Sequence, residues 1–432
     1  MHGEDQGDEK SLSFAESVAD DDGFMVARQP VFDRSLQPWG TAVRFEQALS
    51  ECDLLCDETT ANILLEAHLP QRGPGHAHTL VAFPPQAILE GIPRVLWPQG
   101  IVVELPEAAG FTPGIEEAVS DLKQAGFGIA VSDFDNKRGC RGLNALADLL
   151  VLQTGNAQDG DDLEERILAA HTYEAKVLVR GLTSWAPMLQ ARTANADMFQ
   201  GFFFNRMNLR QSKKSITATQ LSRLRLLECL GKPDADFKAL AHVIEADAAL
   251  TYRLLLFLNS ASFGLARQVM SIQQAIVLAG WQPLKKWLEI ALLTGLSPTA
   301  RHQELCYYAA LRAGFLKRTA RAAGMDQLQP QLSLLGLLSY IEPIMEMPPA
   351  QALEDVPLED SLRQALCEHK GSLAPWLLLA QAMENADWPY AGRLAQSVGL
   401  KLTDLSRCHL ESLAEADTLF RLLPAPQGAN AA

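Results

Sequence analysis

"GIAVSDFDN", Gly128–Asn136, is the stretch on which the reading of the fold turns. It follows a run that reads as helix, Ile115 to Gly126. Ile129, Ala130 and Val131 then read as a short buried strand that ends in Ser132-Asp133-Phe134. A strand that ends in an acid is a common place to hold a metal, and a second acid would be expected beside Asp133. Ser132 stands there instead.

The same alternation runs outward from this stretch. "HTLVAF", "GIVVEL", "DLLVLQ" and "AKVLVRGL" read as further strands, and "TTANILLEAHL", "TPGIEEAVSDLKQAG" and "DLEERILAAHTYE" read as helices between them. Strands separated by helices of that length imply a parallel sheet. Five or more such units within residues 24–207 suit a barrel better than a small open sheet. From Leu221 onward the strand signal vanishes. Phe237, Leu240, Ala241, Ile244, Leu250, Leu254, Leu255 and Leu258 recur at helical spacing, with Asp236 at an N-cap position. A second helix opens after Ser271, and helices continue to about Leu423. The fold class is therefore α/β plus all-α: a (β/α) barrel followed by a helical domain. Residues 1–23 are expected to be a disordered acidic tail, 208–220 a polar, basic connector, 221–423 the helical domain and 424–432 a loose tail.

Composition narrows the partners. The chain has 432 residues, 48% of them hydrophobic, enough for substantial cores. No apolar run reaches the ~20 residues of a membrane span, and the acidic start lacks the pattern of a signal peptide, so a cytoplasmic protein with no membrane association is expected. The net charge is -15, and residues 1–23 carry Glu4, Asp5, Asp8, Glu9, Glu16, Asp20, Asp21 and Asp22 against Lys10. That balance argues against nucleic acid as the partner, since a nucleic-acid binder needs a basic footprint. Arg206, Arg210, Lys213 and Lys214 in the connector, and Lys285 and Lys286 before Trp287, read as solvated charge. The seven cysteines include no C-x-x-C pair and read as free thiols; His76 and His78 read as loop residues.

"FMVARQPVFDRSLQPWG", "VVELPE", "LKQAGFGIAVSDF" and "DMFQGFFFNRM", in that order, resemble the EAL domain, the bacterial phosphodiesterase family that opens cyclic di-GMP. The resemblance covers 24–207 and implies a TIM-like barrel. It also implies two divalent cations, held by carboxylates and an Asn at the strand ends, with a lysine that positions the water. Carried over position by position, most of that set is replaced. The signature Glu falls at Ala42, the metal-binding Asn at Ala82 and the catalytic Lys at Val151. The paired aspartates become Ser132 and Asp133, the late ligand Glu falls at Arg180 and the next acid at Thr183. Glu104, Glu107, Asp133 and Gln200 remain as vestiges, of which Glu104, Asp133 and Gln200 are expected to serve as hydrogen bonds at strand ends or as an ion pair with Arg180. No catalytic residue, metal or cofactor is expected to remain.

The second half, "LLECLGKPDADFKALAHVIEADAALTYRLLLFLNSASFG" followed by "SIQQAIVLAGWQPLKKWL", is similar to the HDOD domain, an all-helical relative of the HD and HD-GYP hydrolases. Asn259, Ser260, Phe263 and Gly264 form its most recognisable loop. Ser339 and Tyr340 stand where HD enzymes carry the metal-holding His-Asp doublet. The two resemblances together imply a non-catalytic signalling regulator that works through an unidentified protein partner. A cyclic di-GMP receptor that binds without cleaving is the alternative, and a residual phosphodiesterase follows it. The replaced ligands argue against tight cyclic di-GMP binding.

Overall fold

The computed structural model describes residues 24–47, 77–154, 163–205, 216–232, 254, 281–296 and 300–421. These fall into two compact units. The first holds the described residues up to 205 together with 381–392 and 401–410, and the second holds the others.

The first unit contains a closed barrel of eight strands in sequential order. They are β1 (Phe24–Asp33), β2 (Pro38–Gln47), β3 (His78–Ala82), β4 (Ile101–Pro106), β5 (Gly128–Ser132), β6 (Leu149–Gln153), β7 (Lys176–Arg180) and β8 (Met198–Gln200). Helices α1 (Pro85–Leu89), α2 (Ile115–Gln124), α3 (Arg141–Leu146), α4 (Leu163–Ala170) and α5 (Trp185–Thr193) lie between strands. The strands from β2 to β8 run parallel, as the alternation with helices predicts.

β1 departs from that expectation, because it is antiparallel to both β2 and β8. Only four residues join β1 to β2, too few for the crossover that a parallel pair needs. They form a tight turn built on Asp33, whose Oδ1 accepts from the backbone N–H of Ser35 at 2.8 Å and of Gln37 at 2.9 Å. Leu36 takes a left-handed φ of 59° to close it. His78, read above as a loop residue, opens β3 and stacks on Trp39 with ring centroids 4.3 Å apart.

Inside the barrel, Val31, Ala42, Leu80, Val102, Ala130, Leu149, Val151, Leu178 and Met198 form an apolar core. Side chains alternate faces along a strand. The next inward layer, toward the C-terminal ends of the parallel strands, is therefore Arg44, Ala82, Glu104, Ser132, Gln153, Arg180 and Gln200. Gln29 supplies the same layer from β1, where the numbering runs in reverse. This is the barrel face on which side chains are placed for chemistry in such folds.

The second unit is helical. It draws on α6 (Ala218–Gly231), α7 (Trp281–Thr294), α8 (Ala300–Ala322), α9 (Gln329–Leu338), α10 (Ile341–Met345), α11 (Pro349–Ala352) and α12 (Asp360–Glu368). Three later helices, α13 (Ala374–Glu384), α14 (Trp388–Ser397) and α15 (Leu402–Arg421), contribute parts of their length. Thr217 starts α6 with a capping box: its Oγ1 accepts from the Gln220 N–H while the Gln220 side chain accepts from the Thr217 N–H. Trp287, Tyr308, Phe315 and Tyr340 are fully buried in the core. The backbones of α8 and α9 approach closely at Gly336, where an added Cβ would lie 2.4 Å from Ala313 N and Cα. The helices read across Phe237–Leu258 lie outside the described residues, apart from Leu254, which is helical and buried.

Candidate functional site

The barrel mouth is organised around one ion pair. Arg180 Nη1 donates to Glu104 Oε1 at 2.7 Å and Nη2 donates to Glu104 Oε2 at 2.6 Å. This is the two-pronged guanidinium–carboxylate match, in which both carboxylate oxygens are engaged by one cation. Arg180 Nε donates to Gln200 Oε1 at 3.1 Å, and Gln200 Nε2 passes the chain on to Gln29 Oε1 at 2.9 Å. Glu104 and Arg180 are 3% and 5% exposed, and Gln200 is fully buried.

The charges at the mouth explain its titration. Burial alone would raise the Glu104 pKa; the Arg180 charge and hydrogen bonds, helped by Arg44 and Ser132, outweigh burial and hold it below the ordinary carboxylate value. Burial and the Arg180 charge pull the Arg44 guanidinium down, with Glu104 and Asp133 acting the other way. Two guanidiniums thus face one buried carboxylate.

The other sequence-singled residues divide. Ala42 and Val151 sit in the apolar core one layer below the mouth, and Ala82 is half-buried at the mouth itself. Thr183 is exposed beyond the end of β7. Asp133 is exposed, takes a left-handed φ of 55°, and makes no hydrogen bond or ion pair among the described residues. Glu107 points away from the mouth's network into a clamp of its own. Its Oε1 accepts from Lys137 N at 3.1 Å and Asn144 Nδ2 at 2.7 Å, and its Oε2 accepts from Asp135 N at 3.0 Å. It ties down the loop after β5 from a fully buried position. Arg44 and Gln29 were not singled out in the sequence; the two-residue step from Ala42 to Arg44 along β2 is the signal that places Arg44 at the mouth.

In the helical unit, Ser339 and Tyr340 surround a buried cation. Arg312 Nη1 donates to Ser339 Oγ at 2.8 Å and Nη2 donates to the Tyr340 hydroxyl at 2.9 Å. Arg312 is 2% exposed and its guanidinium carbon lies 4.2 Å from the Tyr340 ring centroid. Asn259, Ser260, Phe263 and Gly264 lie outside the described residues. Among the described residues, no group of three or more His, Cys, Asp or Glu side chains converges as a metal would require. No helix among them is long and apolar enough to cross a membrane.

The fold and these sites define a two-domain chain, an eight-stranded β/α barrel followed by a helical domain. The HDOD domain family matches residues 219–345. Along most of its length the chain is similar to the cyclic di-GMP phosphodiesterase CdgJ of Vibrio cholerae, with 24% identity over 92% of this chain and 93% of that one. It is similarly related to the uncharacterized protein YuxH of Bacillus subtilis, with 25% identity over 90% of this chain and 97% of that one. Among solved structures, an EAL domain protein from Listeria monocytogenes is 16% identical and covers 46% of this chain and 94% of its own, with a TM-score of 0.33.

Proposed function

We propose that this protein is a non-catalytic regulator in cyclic di-GMP signalling that acts by binding another protein. The observation that carries the reading is the pairing of both Glu104 oxygens with Arg180. A carboxylate engaged on both oxygens by a guanidinium has little left to offer a cation, and the guanidinium repels one. Hard cations such as Mg²⁺ need several oxygen ligands, and the mouth has Ala82 and Ser132 where others would stand. Val151 sits in the apolar core and offers no group to position water. The residues present do not fit two divalent cations, so no hydrolytic step is drawn through them. Arg312, held by Ser339 and Tyr340, brings a positive charge to the His-Asp position of the helical domain as well.

The test is incubation of the purified chain with cyclic di-GMP and Mg²⁺ or Mn²⁺. The expected result is no linear product above a no-enzyme control. Metal-dependent product would overturn the reading and bring the chain into line with its relative named as a phosphodiesterase. The two guanidiniums of Arg44 and Arg180 beside the one buried carboxylate of Glu104 favour a second reading, a receptor that binds cyclic di-GMP without metal. Calorimetry separates the two: sub-micromolar binding, weakened by Arg44→Ala, would promote the receptor.

A further inference from the structure

The helical unit contains a second charged site. A pocket of about 340 Å³ opens among α7, α8, α9, α15 and Lys232 at the end of α6. That volume matches sites for small organic molecules. Lys285 and Lys286 reach it from α7 and Lys317 from α8, with Glu289 and Glu415 beside them.

The pairing of these charges is unequal. Glu415 is engaged twice, by Lys286 and by Arg318, whose Nη1 lies 2.7 Å from Glu415 Oε2. Lys232 is taken by Glu228 at 2.9 Å. The Glu289 oxygen paired with Lys285 lies 3.9 Å away, beyond hydrogen-bonding distance. Lys317 makes no hydrogen bond or ion pair among the described residues; burial, followed by the neighbouring Lys286 charge, pulls its pKa down. Burial pushes Glu289 up to about 7 in spite of three lysines, so it answers their charge only in part near neutral pH. Two ammoniums therefore line a pocket without a hydrogen-bonded carboxylate. Ile290, Leu337 and Leu419 supply apolar wall beside them.

We propose that this pocket binds a small organic phosphate, of sugar-phosphate or mononucleotide size, with its phosphoryl group held by Lys285 and Lys317 and its body against Ile290, Leu337 and Leu419. A lysine ammonium acts on phosphate as a point charge, and a dianion satisfies two of them at once. A protonated Glu289 adds an O–H donor for a phosphoryl oxygen. The site lies wholly within the helical unit and does not rest on the reading of the barrel mouth.

The experiment uses the full chain, with ribose 5-phosphate and AMP as probes and with ribose, adenosine and citrate as controls, followed by thermal shift and calorimetry. The phosphates should raise the melting temperature with dose, and ribose and adenosine should leave it unchanged. Lys285→Gln with Lys317→Gln should weaken binding by about tenfold or more. Arg44→Gln should not, which separates this pocket from the barrel mouth. If circular dichroism shows that the double variant is unfolded, Lys317→Gln alone carries the same test, since it removes a charge that burial already disfavours. The proposal falls if neither phosphate binds at about 10 mM. It also falls if adenosine binds as well as AMP, if citrate binds as well as ribose 5-phosphate, or if the lysine variants keep full affinity.

Discussion

The barrel mouth and the helical pocket both gather charge in a partly enclosed space, and they resolve it in opposite ways. At the mouth, Arg180 meets both oxygens of Glu104 and then Gln200, and Gln200 meets Gln29, so the chain of donors and acceptors closes on protein groups. In the pocket, Lys317 and Lys285 have no hydrogen-bonded carboxylate, and Glu289 is only half committed to its charge. A closed network is a structural element, whose removal is felt as lost stability. An open one retains capacity for a ligand, and its charges oppose folding until something answers them.

The largest effect should come from breaking the closed network. Glu104→Ala leaves the Arg180 guanidinium buried without its counter-charge and beside Arg44. The expected cost is about 3–5 kcal/mol, read by urea denaturation. Replacing both partners, Glu104→Leu with Arg180→Met, should recover most of that loss, because neither charge is then stranded. The pH dependence has a definite sign. The Glu104 pKa is depressed in the folded state, so its stabilisation is present above the unfolded value and disappears as pH falls through the folded one. If Glu104→Ala melts like the parent chain, the mouth is not closed in the sense described.

A substitution between α8 and α9, next to the pocket residues Ala313 and Leu337, comes next. Gly336→Ala would set a Cβ 2.4 Å from Ala313 backbone atoms, which are not free to swing aside. The cost should be about 3 kcal/mol, at the upper end for overpacking, with ribose 5-phosphate binding weakened as α8 and α9 are forced apart. A melting temperature within error of the parent would show that this approach is soft.

Glu289→Gln should act in the opposite direction. The folded state raises the Glu289 pKa, so ionisation above the unfolded value works against folding. The variant should be more stable than the parent at pH 8 by something on the order of 3 kcal/mol, and the difference should vanish toward pH ~4.5. Paired denaturation curves across that range check it. A constant difference would assign the effect to packing and remove Glu289 from the unequal pairing described for the pocket.

The smallest effect belongs to Asp133. It is exposed and bonded to no described residue, and asparagine tolerates a left-handed φ. Asp133→Asn should stay within about 0.5 kcal/mol of the parent. A larger loss in a chemical melt would mean that the acid belongs to the mouth after all.

Much of this was legible in the chain. The strands at Ile101–Pro106, Gly128–Ser132, Leu149–Gln153 and Lys176–Arg180 fall where short apolar runs stand between helical stretches, because a strand buried on both faces leaves that signature. An ion pair between Arg180 and Glu104 was among the expectations, beside hydrogen bonds at the strand ends, and it forms. β1 and β2 were not among the strands read, so their antiparallel pairing was missed; the clue was the short "RSLQ" link between two β-rich runs. Glu107 stood beside Glu104 among the vestiges, yet its side chain clamps the loop after β5. Residues three apart at the end of a strand do not share a face, and only the path of the chain after Pro106 decides where the second one points.

The sequence by itself determined the kinds of structure present and their order. Periodicity of two or of about 3.6 is a local property, carried by each segment's own apolar residues. It also determined which chemical groups were present for a site, Ser132, Arg180 and Val151 among them. Tertiary structure alone decided which of those groups meet. Glu104 and Arg180 are 76 positions apart and Lys286 and Glu415 are 129 apart, and nothing local to either pair encodes the encounter. Barrel closure sets the first pair and helix packing the second. That is why the mouth emerges as a completed network and the pocket as an open one, although the sequence offers both only as scattered acids and bases.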